Sequence, residues 1–450
     1  MGLERPTTIE REGEIGVKRF VVLGIAMSFL VAACTGGSSD NNGGSSSSGG
    51  ASGTVTIQFW HGQQQSAARA LTDLVNEFNQ THKDVKVDVS SGGVTTDEML
   101  PKVISSIAAG TYPDVVYLYG SWAANIAKSG KTVDLSSRLN EPGFNWDDFW
   151  DSSKQIVSPG GKVIGFPALI DNLSVIYNKK IFDDAGVPYP SADWTWDDFR
   201  TIAKELTDPA KHIYGVNYPV SGDLDTVWRF FPGLWQRGGQ IISDDETQAL
   251  FNSQAGVDNL TLWQQMATVD KSVFFDPNDS KAEPLFGSGH LAMYVSGPWE
   301  VQYLASTGID WGDQVLPGYN GDHQTVSGPD NWVILNHDEA RVNASIEFLK
   351  WLTAPEQELK WMMASASLPI RPSIMQLPDY QKFLDKYPGI EAMADNLQNA
   401  KNAMPTLTQW PRIVDALGQG ISSVLLGKAD PKTALDQAAQ EADTLLAVPQ

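Results

Sequence analysis

Cysteine and histidine are scarce in this sequence, and their scarcity excludes several kinds of site. Cys34 is the only cysteine among 450 residues, so the chain can form no internal disulfide and no zinc site built from cysteines. The six histidines are scattered without the spacing of a metal site, at positions 61, 82, 212, 290, 323 and 337. We therefore predict no metal, and we expect stability to come from packing.

The sequence also lacks the motifs of common enzymes and cofactor sites. Gly130-Lys131-Thr132 looks like the end of a phosphate-binding loop, but Asn125 stands where the first glycine is needed. Residues 287–292 fit a loose dinucleotide fingerprint without a convincing strand and ribose-binding acid beside them, so a turn at a helix edge explains them better. HExxH and GxSxG are absent. We therefore predict that the chain binds no cofactor, contains no catalytic residue and is not an enzyme.

Basic residues are few. Lysine and arginine number 32 against 54 acidic residues, which gives a formal net charge of −22. Residues 1–33 carry four acids and four bases, so the excess negative charge belongs to the rest of the chain. A surface of this sign repels nucleic-acid backbones and anionic lipid headgroups. The charge therefore argues against nucleic acid or an anionic membrane surface as the main partner.

The apolar run near the N-terminus is too short to span a membrane. It covers twelve residues, 20–31, whereas a spanning helix needs about 20. Lys18 and Arg19 precede it and Ala32 and Ala33 follow it, which is the pattern of a secretory signal over residues 1–33. Residues 31–34, Val-Ala-Ala-Cys, also resemble a bacterial lipobox, which implies a lipid on Cys34 and an extracytoplasmic anchor in the cell membrane. The alternative is a plain cleavage site with an incidental cysteine.

Residues 34–53 contain almost only glycine, serine, asparagine and aspartate beyond Cys34. Such a composition has nothing to bury and predicts a flexible tether, so we expect the folded part to begin near Thr54.

Beyond the tether, segments typical of strands and helices alternate. We predict strands at 55–60, 85–89, 115–119 and 173–177, and helices at 67–79, 95–108, 195–206, 256–267, 339–352, 355–364 and 431–446. The alternation predicts an α/β fold with helices covering a parallel or mixed sheet. The chain length suggests two lobes or domains.

Residues 165–199 are the most informative segment. Asp171 and Asn172 stand directly before the strand predicted at 173–177. Thr195 stands three residues before Asp198, which is the spacing of a helix capping box. Asp198 and its neighbour Asp197 are therefore interpreted as helix-start residues, whereas Asp171 is placed at a ligand cleft.

This segment and five others resemble, in order, the motifs of the family-1 extracellular solute-binding proteins of ABC importers. The resemblance covers 54–446, and each motif alone is weak. The five others are Phe59-Trp60-His61, Pro113-Asp114-Val115-Val116 before Tyr119, residues 286–293 with Gly297-Pro298-Trp299, residues 348–356, and Leu368-Pro369-Ile370-Arg371.

The resemblance implies the fold. It implies two α/β lobes of the type II periplasmic-binding-protein-like fold, joined by several chain crossings and closing on a solute between them. Lobe 1 would comprise 54–169 and 331–370, and lobe 2 would comprise 172–328 and 374–446. The protein is expected to be a monomer.

The resemblance also implies binding residues. In the maltose-binding branch a glutamate that accepts sugar hydroxyls matches Asp171, and a tryptophan that stacks on a sugar ring matches Trp299. The first-strand loop and the turn after the third strand would contribute Trp60, His61, Gln63, Gln64, Tyr119, Ser121 and Trp122. Further positions that the resemblance brings to the cleft are Asn172, Trp228, Asp330, Asn331 and Trp410. Five other tryptophans are predicted to be packing residues: Trp146, Trp194, Trp196, Trp351 and Trp361.

The expected function is a lipid-anchored receptor that captures a carbohydrate, expected to be an oligosaccharide, and presents it to the permease and ATPase of an ABC importer by hinge closure. A receptor for glycerol-3-phosphate or a glycerophosphodiester is the near alternative, because those relatives share the Phe-Trp-His strand end. At the positions of Ile170-Asp171-Asn172, those relatives have a segment that resembles Ser-Ser-Thr. The carboxylate of Asp171 would repel a phosphate there. A secreted glycoside hydrolase is the alternative from another class, but it would need a second carboxyl across the cleft.

Overall fold

The computed structural model describes residues 53–96, 98–277 and 280–448. The predicted signal segment, Cys34 and the tether up to residue 52 lie outside the described residues. Within the described part, no helix is long and apolar enough to cross a membrane.

Among the described residues, ten strands form two sheets of five. The strands are β1 (Val55–Trp60), β2 (Val85–Ser90), β3 (Val115–Tyr119), β4 (Gly165–Leu169), β5 (Ser174–Asn178), β6 (Tyr214–Pro219), β7 (Val273–Asp276), β8 (Leu291–Ser296), β9 (Trp311–Gln314) and β10 (Asp330–Ile334). The first sheet has the order β2-β1-β3-β10-β4 and the second has the order β7-β6-β8-β5-β9.

Both sheets are mixed. In the first, β1 pairs in parallel with β2 and β3, whereas β10 runs antiparallel to β3 and β4. In the second, β6 pairs in parallel with β7 and β8, whereas β5 runs antiparallel to β8 and β9. The late strand β10 thus returns to the first sheet after five strands of the second.

The helices lie on the faces of these sheets. They are α1 (Gln65–Thr81), α2 (Met99–Ala109), α3 (Ala123–Ala127), α4 (Asp151–Ile156), α5 (Lys179–Ala185), α6 (Trp196–Glu205), α7 (Leu224–Trp228), α8 (Phe231–Gln236), α9 (Gln254–Thr268), α10 (Ala282–Gly287), α11 (Val301–Thr307), α12 (Glu339–Leu352), α13 (Pro355–Ser365), α14 (Tyr380–Lys386), α15 (Ile390–Asp395), α16 (Trp410–Leu425) and α17 (Pro431–Leu446). Short 3₁₀ turns include Gly120–Trp122 and Pro298–Glu300.

Each of the four predicted strands and seven predicted helices is present, with small errors at the ends of several. The strand predicted at 173–177 is Ser174–Asn178. The prediction of a helix from residue 95 was wrong in its first turn, because the helix begins at Met99. Glu98 accepts hydrogen bonds from the N–H and the hydroxyl of Thr95 at 3.0 and 3.1 Å, and this contact closes a turn before the helix.

Aromatic side chains fill both cores. In the first, the Phe59 ring packs edge-on against Trp332 and Phe348, with centroids 5.3 and 5.4 Å apart. In the second, Trp263 packs against Tyr218 at 4.7 Å. Trp194, Trp196 and Trp361 are buried as predicted. Trp146 and Trp351 pack against the first core with part of each ring exposed.

The chain passes between the sheets at residues 170–173 and again at 315–329. These two crossing segments pair with each other through an antiparallel bridge between Asn172 and Ser327. The N–H of Gly328 also donates to the carbonyl of Asp171 at 3.3 Å. Further along, α14 packs against α13 and α15 packs against β9, so the segment after residue 370 leads back toward the second sheet. The predicted lobe boundaries follow this division of the strands and stay a prediction.

Candidate functional site

Two aspartates stand where the chain passes between the sheets. Asp171 lies on the first crossing, and its Oδ1 accepts a hydrogen bond from the N–H of Gly328 at 2.9 Å. Asp330 begins β10, and its Oδ1 accepts from the N–H of Gly120 at 3.1 Å. Its Oδ2 accepts from the hydroxyl of Tyr117 at 2.5 Å. These bonds fix both carboxyl groups at the junction of the two sheets.

The surroundings of these carboxyls oppose their ionisation. Burial raises the pKa of Asp171 well above its usual range, and the neighbouring charge of Asp330 raises this pKa further. Burial also raises the pKa of Asp330 to about 7, although the hydrogen bonds from Tyr117 and Gly120 act in the opposite direction. The two carboxyl groups therefore do not ionise independently, and the pair retains a proton more readily than exposed aspartates do.

Three cavities that share lining residues form what we call the cleft. The first has a volume of about 490 Å³ and the second about 350 Å³, and both are lined by Tyr119, Asp171 and Asp330. The third has a volume of about 220 Å³ and shares Ser121 and Leu224 with the second. The aspartate pair thus lies at the junction of the first two cavities.

Trp228 stands beside Asp171, and Trp299 stands next to Trp228 but lines none of the three cavities. The ring centroids of Trp228 and Trp299 are 5.7 Å apart and their planes are tilted by 34°. Trp228 lines the second cavity and is 9% exposed, whereas Trp299 is 40% exposed. Together they present aromatic surface next to carboxylate oxygens.

Two glycines allow this close approach. A Cβ at Gly328 would lie 2.6 Å from Cζ2 of Trp228 and 2.7 Å from Oδ1 of Asp171. A Cβ at Gly297 would lie 2.3 Å from Cζ3 of Trp299 and 2.5 Å from the carbonyl oxygen of Asn172. Any larger residue at either position would displace the indole beside it.

Several other predicted residues line the cleft. Gln63 and Gln64 line the first cavity together with Tyr119. Ser121 lines the second and third cavities, and Trp122 lines the third. The loop after β1 and the turn after β3 thus reach the cleft from the first sheet, while Leu224 and Trp228 reach it from the second-sheet side.

Two predicted residues at the end of β1, Trp60 and His61, lie outside the cavities of the cleft. His61 is buried, and its Nδ1 accepts a hydrogen bond from the N–H of Gln63 at 2.9 Å. Burial lowers the pKa of His61 to about 4, so the ring is uncharged at neutral pH. Trp60 packs against Gly92 and lies 5.6 Å from the ammonium group of Lys102. Neither residue lines any of the three cavities.

Three further predicted residues are enclosed in the protein. Asn172 is fully buried and donates a hydrogen bond to the carbonyl of Met393 at 2.8 Å, because neighbouring side chains on an extended segment point to opposite sides. Asn331 is fully buried as well, and its side-chain amide has no hydrogen-bond partner among the described residues. Trp410 is 1% exposed and stacks on Phe231, so only its edge borders the third cavity.

The sequence reasoning missed Gln302 and Gln65. Gln302 lines the first cavity, and its amide donates to the carbonyl of Ala364 at 3.0 Å, which joins α11 to α13 across that cavity. Its spacing of three residues after Trp299 is the signal that could have identified it. Gln65 lines the same cavity with a φ of 48°, an unusual backbone conformation for which the sequence carried no signal.

No lysine, arginine or histidine is among the described residues that line the cleft. The acidic lining residues are Asp171, Asp223, Asp225, Asp330 and Asp415. The described residues contain no group of three or more His, Cys, Asp or Glu side chains that could hold a metal ion. The cleft therefore offers hydrogen-bond acceptors and aromatic surface, without a cation for an anionic solute.

Two larger hollows lie elsewhere, with volumes of about 640 and 810 Å³, and share no lining residue with the cleft. Several of their charged residues pair with one another. Arg138 pairs with Glu141 at 2.6 Å, and Lys350 pairs with the same carboxylate at 3.1 Å. Because these groups satisfy one another, the cleft is the better candidate site despite its smaller cavities.

Comparison with known proteins identifies the family of this chain. Residues 73–392 match the family described as bacterial extracellular solute-binding protein. The sn-glycerol-3-phosphate-binding periplasmic protein UgpB of Pectobacterium atrosepticum is 23% identical over 416 residues, which cover 88% of this chain and 92% of that protein.

Solved structures show the same fold. The cyclic α-maltosyl-1,6-maltose binding protein of Arthrobacter globiformis is 25% identical, with a TM-score of 0.79 over 88% of this chain and 99% of that one. The ABC substrate-binding protein Lmo0181 of Listeria monocytogenes, solved in complex with cycloalternan, is 26% identical, with a TM-score of 0.75 over 88% of this chain and all of that one. The predicted two-lobed type II fold is confirmed. The family match spans most of the chain, and this chain therefore belongs to the bacterial extracellular solute-binding proteins, as its six motifs predicted.

Proposed function

We propose that this protein is a monomeric, extracytoplasmic receptor that captures an oligosaccharide and delivers it to the permease and ATPase of an ABC importer. The observation that carries the proposal is the cleft itself, where Asp171 and Asp330 stand beside Trp228, and Trp299 next to Trp228, at the junction of the two sheets. Transport energy would come from the partner ATPase and not from this chain.

The chemistry of the cleft suits sugar rings. Carboxyl oxygens accept several hydrogen bonds, and bonds from hydroxyls to a charged acceptor are stronger than neutral ones. The face of an indole is electron-rich, so it suits the C–H side of a pyranose ring. Three adjoining cavities give room for several rings in a row.

The arrangement of the lining residues supports hinge closure. Tyr119 and Ser121 follow a strand of the first sheet, whereas Leu224 and Trp228 belong to a helix that follows a strand of the second. A solute that contacts both groups binds the closed arrangement more tightly than the open one and shifts the population toward it.

The comparisons add support for a carbohydrate. Two structures that are at least 25% identical belong to a protein that binds cyclic α-maltosyl-1,6-maltose and to one solved with cycloalternan. Both ligands are cyclic oligosaccharides, so cyclic glucans belong in any ligand panel for this receptor.

Glycerol-3-phosphate is the second candidate, because the UgpB proteins match nearly the whole chain. The cleft argues against it. A phosphate would meet the carboxyl groups of Asp171 and Asp330 without a lysine, arginine or histidine among the described lining residues. We therefore favour the carbohydrate.

Calorimetry against linear and cyclic oligosaccharides and glycerol-3-phosphate tests the proposal. We expect at least one oligosaccharide to bind and to be recovered intact, and glycerol-3-phosphate not to bind. Trp299→Ala should weaken sugar binding by about 1 kcal/mol through the loss of stacking, and Asp171→Ala by about 1.5 to 3 kcal/mol. Tyr319→Ala is the control, since this aromatic residue is similarly exposed, at 42%, and lies outside the cleft.

Tight binding of glycerol-3-phosphate alone would refute the carbohydrate assignment. Cleavage of the bound sugar would instead revive the hydrolase alternative, because Asp330 supplies the second carboxyl that the sequence did not place beside Asp171. Unchanged sugar affinity in both cleft variants would remove Trp299 and Asp171 from the site.

The membrane anchor is a separate proposal. We propose that Cys34 carries the lipid that holds the receptor at the cell membrane, on the evidence of the apolar run and small residues before it. Mass analysis of the mature N-terminus should show a lipidated cysteine, and Cys34→Ala should release the protein into the medium. A mature chain that begins elsewhere would contradict the anchor.

A further inference from the structure

The cleft holds two carboxyl groups, and no lysine, arginine or histidine stands among the described residues that line it. Asp330 is 9% exposed, and among the described residues its carboxyl accepts hydrogen bonds from the neutral groups of Tyr117 and Gly120. Asp171 receives the neutral N–H of Gly328. Burial of a charged carboxylate is costly unless an opposite charge stands beside it. The pair therefore calls for a positive partner, which is either a bound proton or a cationic group of the solute.

The aromatic side chains near the pair also suit a cation. The indole faces of Trp228 and Trp299 attract positive charge through the ring quadrupole. Gly328 brings Cζ2 of Trp228 and Oδ1 of Asp171 to the same point, so the carboxyl lies at the edge of this indole.

The indole N–H of Trp228 also lacks a partner. This nitrogen is buried and has no hydrogen-bond partner among the described residues, and its ring lines the second cavity. A buried polar group without a partner is destabilising, and a solute oxygen that reached this nitrogen on binding would provide the acceptor. Among its described residues the site thus lacks both a cation and a hydrogen-bond acceptor for this N–H. An amino sugar with neighbouring hydroxyls would supply both.

We propose that the solute of this receptor carries a protonated amine, as amino sugars do, and that this ammonium group binds between Asp171 and Asp330 against Trp228. The inference rests on the proposed carbohydrate function and narrows its ligand class. In the empty cleft the aspartate pair retains a proton. When the ammonium group binds, its N–H groups donate to the two carboxylates and this proton leaves to solvent.

Two matched pairs of probes test the proposal. Acarbose and maltotetraose have similar α-1,4 chains but differ in a bridging amine, and glucosamine oligomers differ from their N-acetylated counterparts in charge. Titration calorimetry should show that, in at least one pair, the amine-bearing member binds at least about tenfold more tightly than its neutral counterpart. For the unaltered protein, calorimetry in buffers of different ionisation enthalpy should show that a proton is released when the amine-bearing ligand binds.

Variants locate the effect. Asp171→Asn and Asp330→Asn should each abolish the preference for the amine and the proton release, while Asp73→Asn, at an exposed position of α1, should retain both. Circular dichroism and thermal melts establish that each variant is folded.

Three results overturn the inference. If the neutral members bind as tightly as the amines or more tightly, the amine assignment fails while the carbohydrate function stands. If neither class binds, both proposals fail. An amine preference that survives in both cleft variants would also refute the placement at Asp171 and Asp330.

Discussion

Trp299 leaves two-fifths of its side chain exposed at the end of β8, although an indole normally buries most of its surface. Gly297 allows the ring to fold back over the carbonyl of Asn172, which holds the indole in place without covering its face. The exposed face costs free energy in the empty protein, and a stacked solute would recover it. At the residue scale the cleft is thus built from side chains that are incompletely satisfied without a ligand.

The raised pKa of Asp330 predicts that the stability of the protein depends on pH. Burial raises the pKa of Asp330 to about 7, whereas in the unfolded chain its pKa is about 3.9. Between these values the folded state binds a proton that the unfolded state does not, so this group makes stability fall as pH rises from about 4 to about 7. Asp330→Asn removes that dependence and preserves the shape of the side chain.

We therefore expect urea unfolding to show Asp330→Asn more stable than the unaltered protein by a few kcal/mol at about pH 8 and by little near pH 4. Asp73→Asn serves as the matched control, because this aspartate is exposed and its substitution should change stability about equally at both pH values. An Asp330→Asn effect independent of pH would contradict the protonation of Asp330.

At the scale of elements, local signals define the scaffold that carries these residues. Thr195 and Asp198 form a reciprocal capping box at the start of α6, as the sequence predicted: the Thr195 hydroxyl accepts from the Asp198 N–H at 3.2 Å, and the Asp198 carboxylate accepts from the Thr195 N–H at 2.8 Å. The buried face of α6 packs Phe199 against Trp263. The cap thus positions a helix of the second core and has no part in the cleft.

Thr195→Ala should accordingly lower the free energy of unfolding by about 1 kcal/mol and leave ligand affinity unchanged. Urea unfolding and calorimetry measure the two quantities. Thr201→Ala, in the same helix, is the control, since its hydroxyl donates only to a backbone carbonyl one turn earlier. If the Thr195→Ala variant is fully folded but binds the ligand less tightly, α6 contributes to the cleft.

At the scale of the whole molecule, the cleft lies between two sheets that meet at paired chain crossings. A solute held by both sides binds the folded, closed protein and not the unfolded chain. Binding therefore stabilises the fold by mass action, whichever residues make the contacts.

A cognate sugar at 100 times its dissociation constant should raise the free energy of unfolding by about 2.7 kcal/mol. The urea midpoint with and without ligand measures this increase. An equal concentration of a sugar that does not bind is the control, because sugars also stabilise proteins by exclusion from their surface. A midpoint shift no larger than that of the control sugar would refute binding.

Local patterns in the sequence were enough to predict part of the scaffold and the family. The strands predicted at 55–60 and 115–119 have the bounds of β1 and β3, and the spacing of Thr195 and Asp198 marked the start of α6. Six motifs in order identified the family, and the Gly297-Pro298-Trp299 motif directed attention to the indole beside the cleft.

Only the tertiary structure decided which of the candidate residues meet. Asp171 and Asp330 are far apart in the sequence, and they become neighbours because the two crossing segments pair and Gly328 and Gly120 hydrogen-bond to their carboxyls. Asn172 is adjacent to Asp171 yet points into the protein, because side chains alternate along an extended segment. Local pattern thus specified the parts of the receptor, whereas the charge of its cleft, and the inference of a cationic solute, depend on contacts that only the folded chain creates.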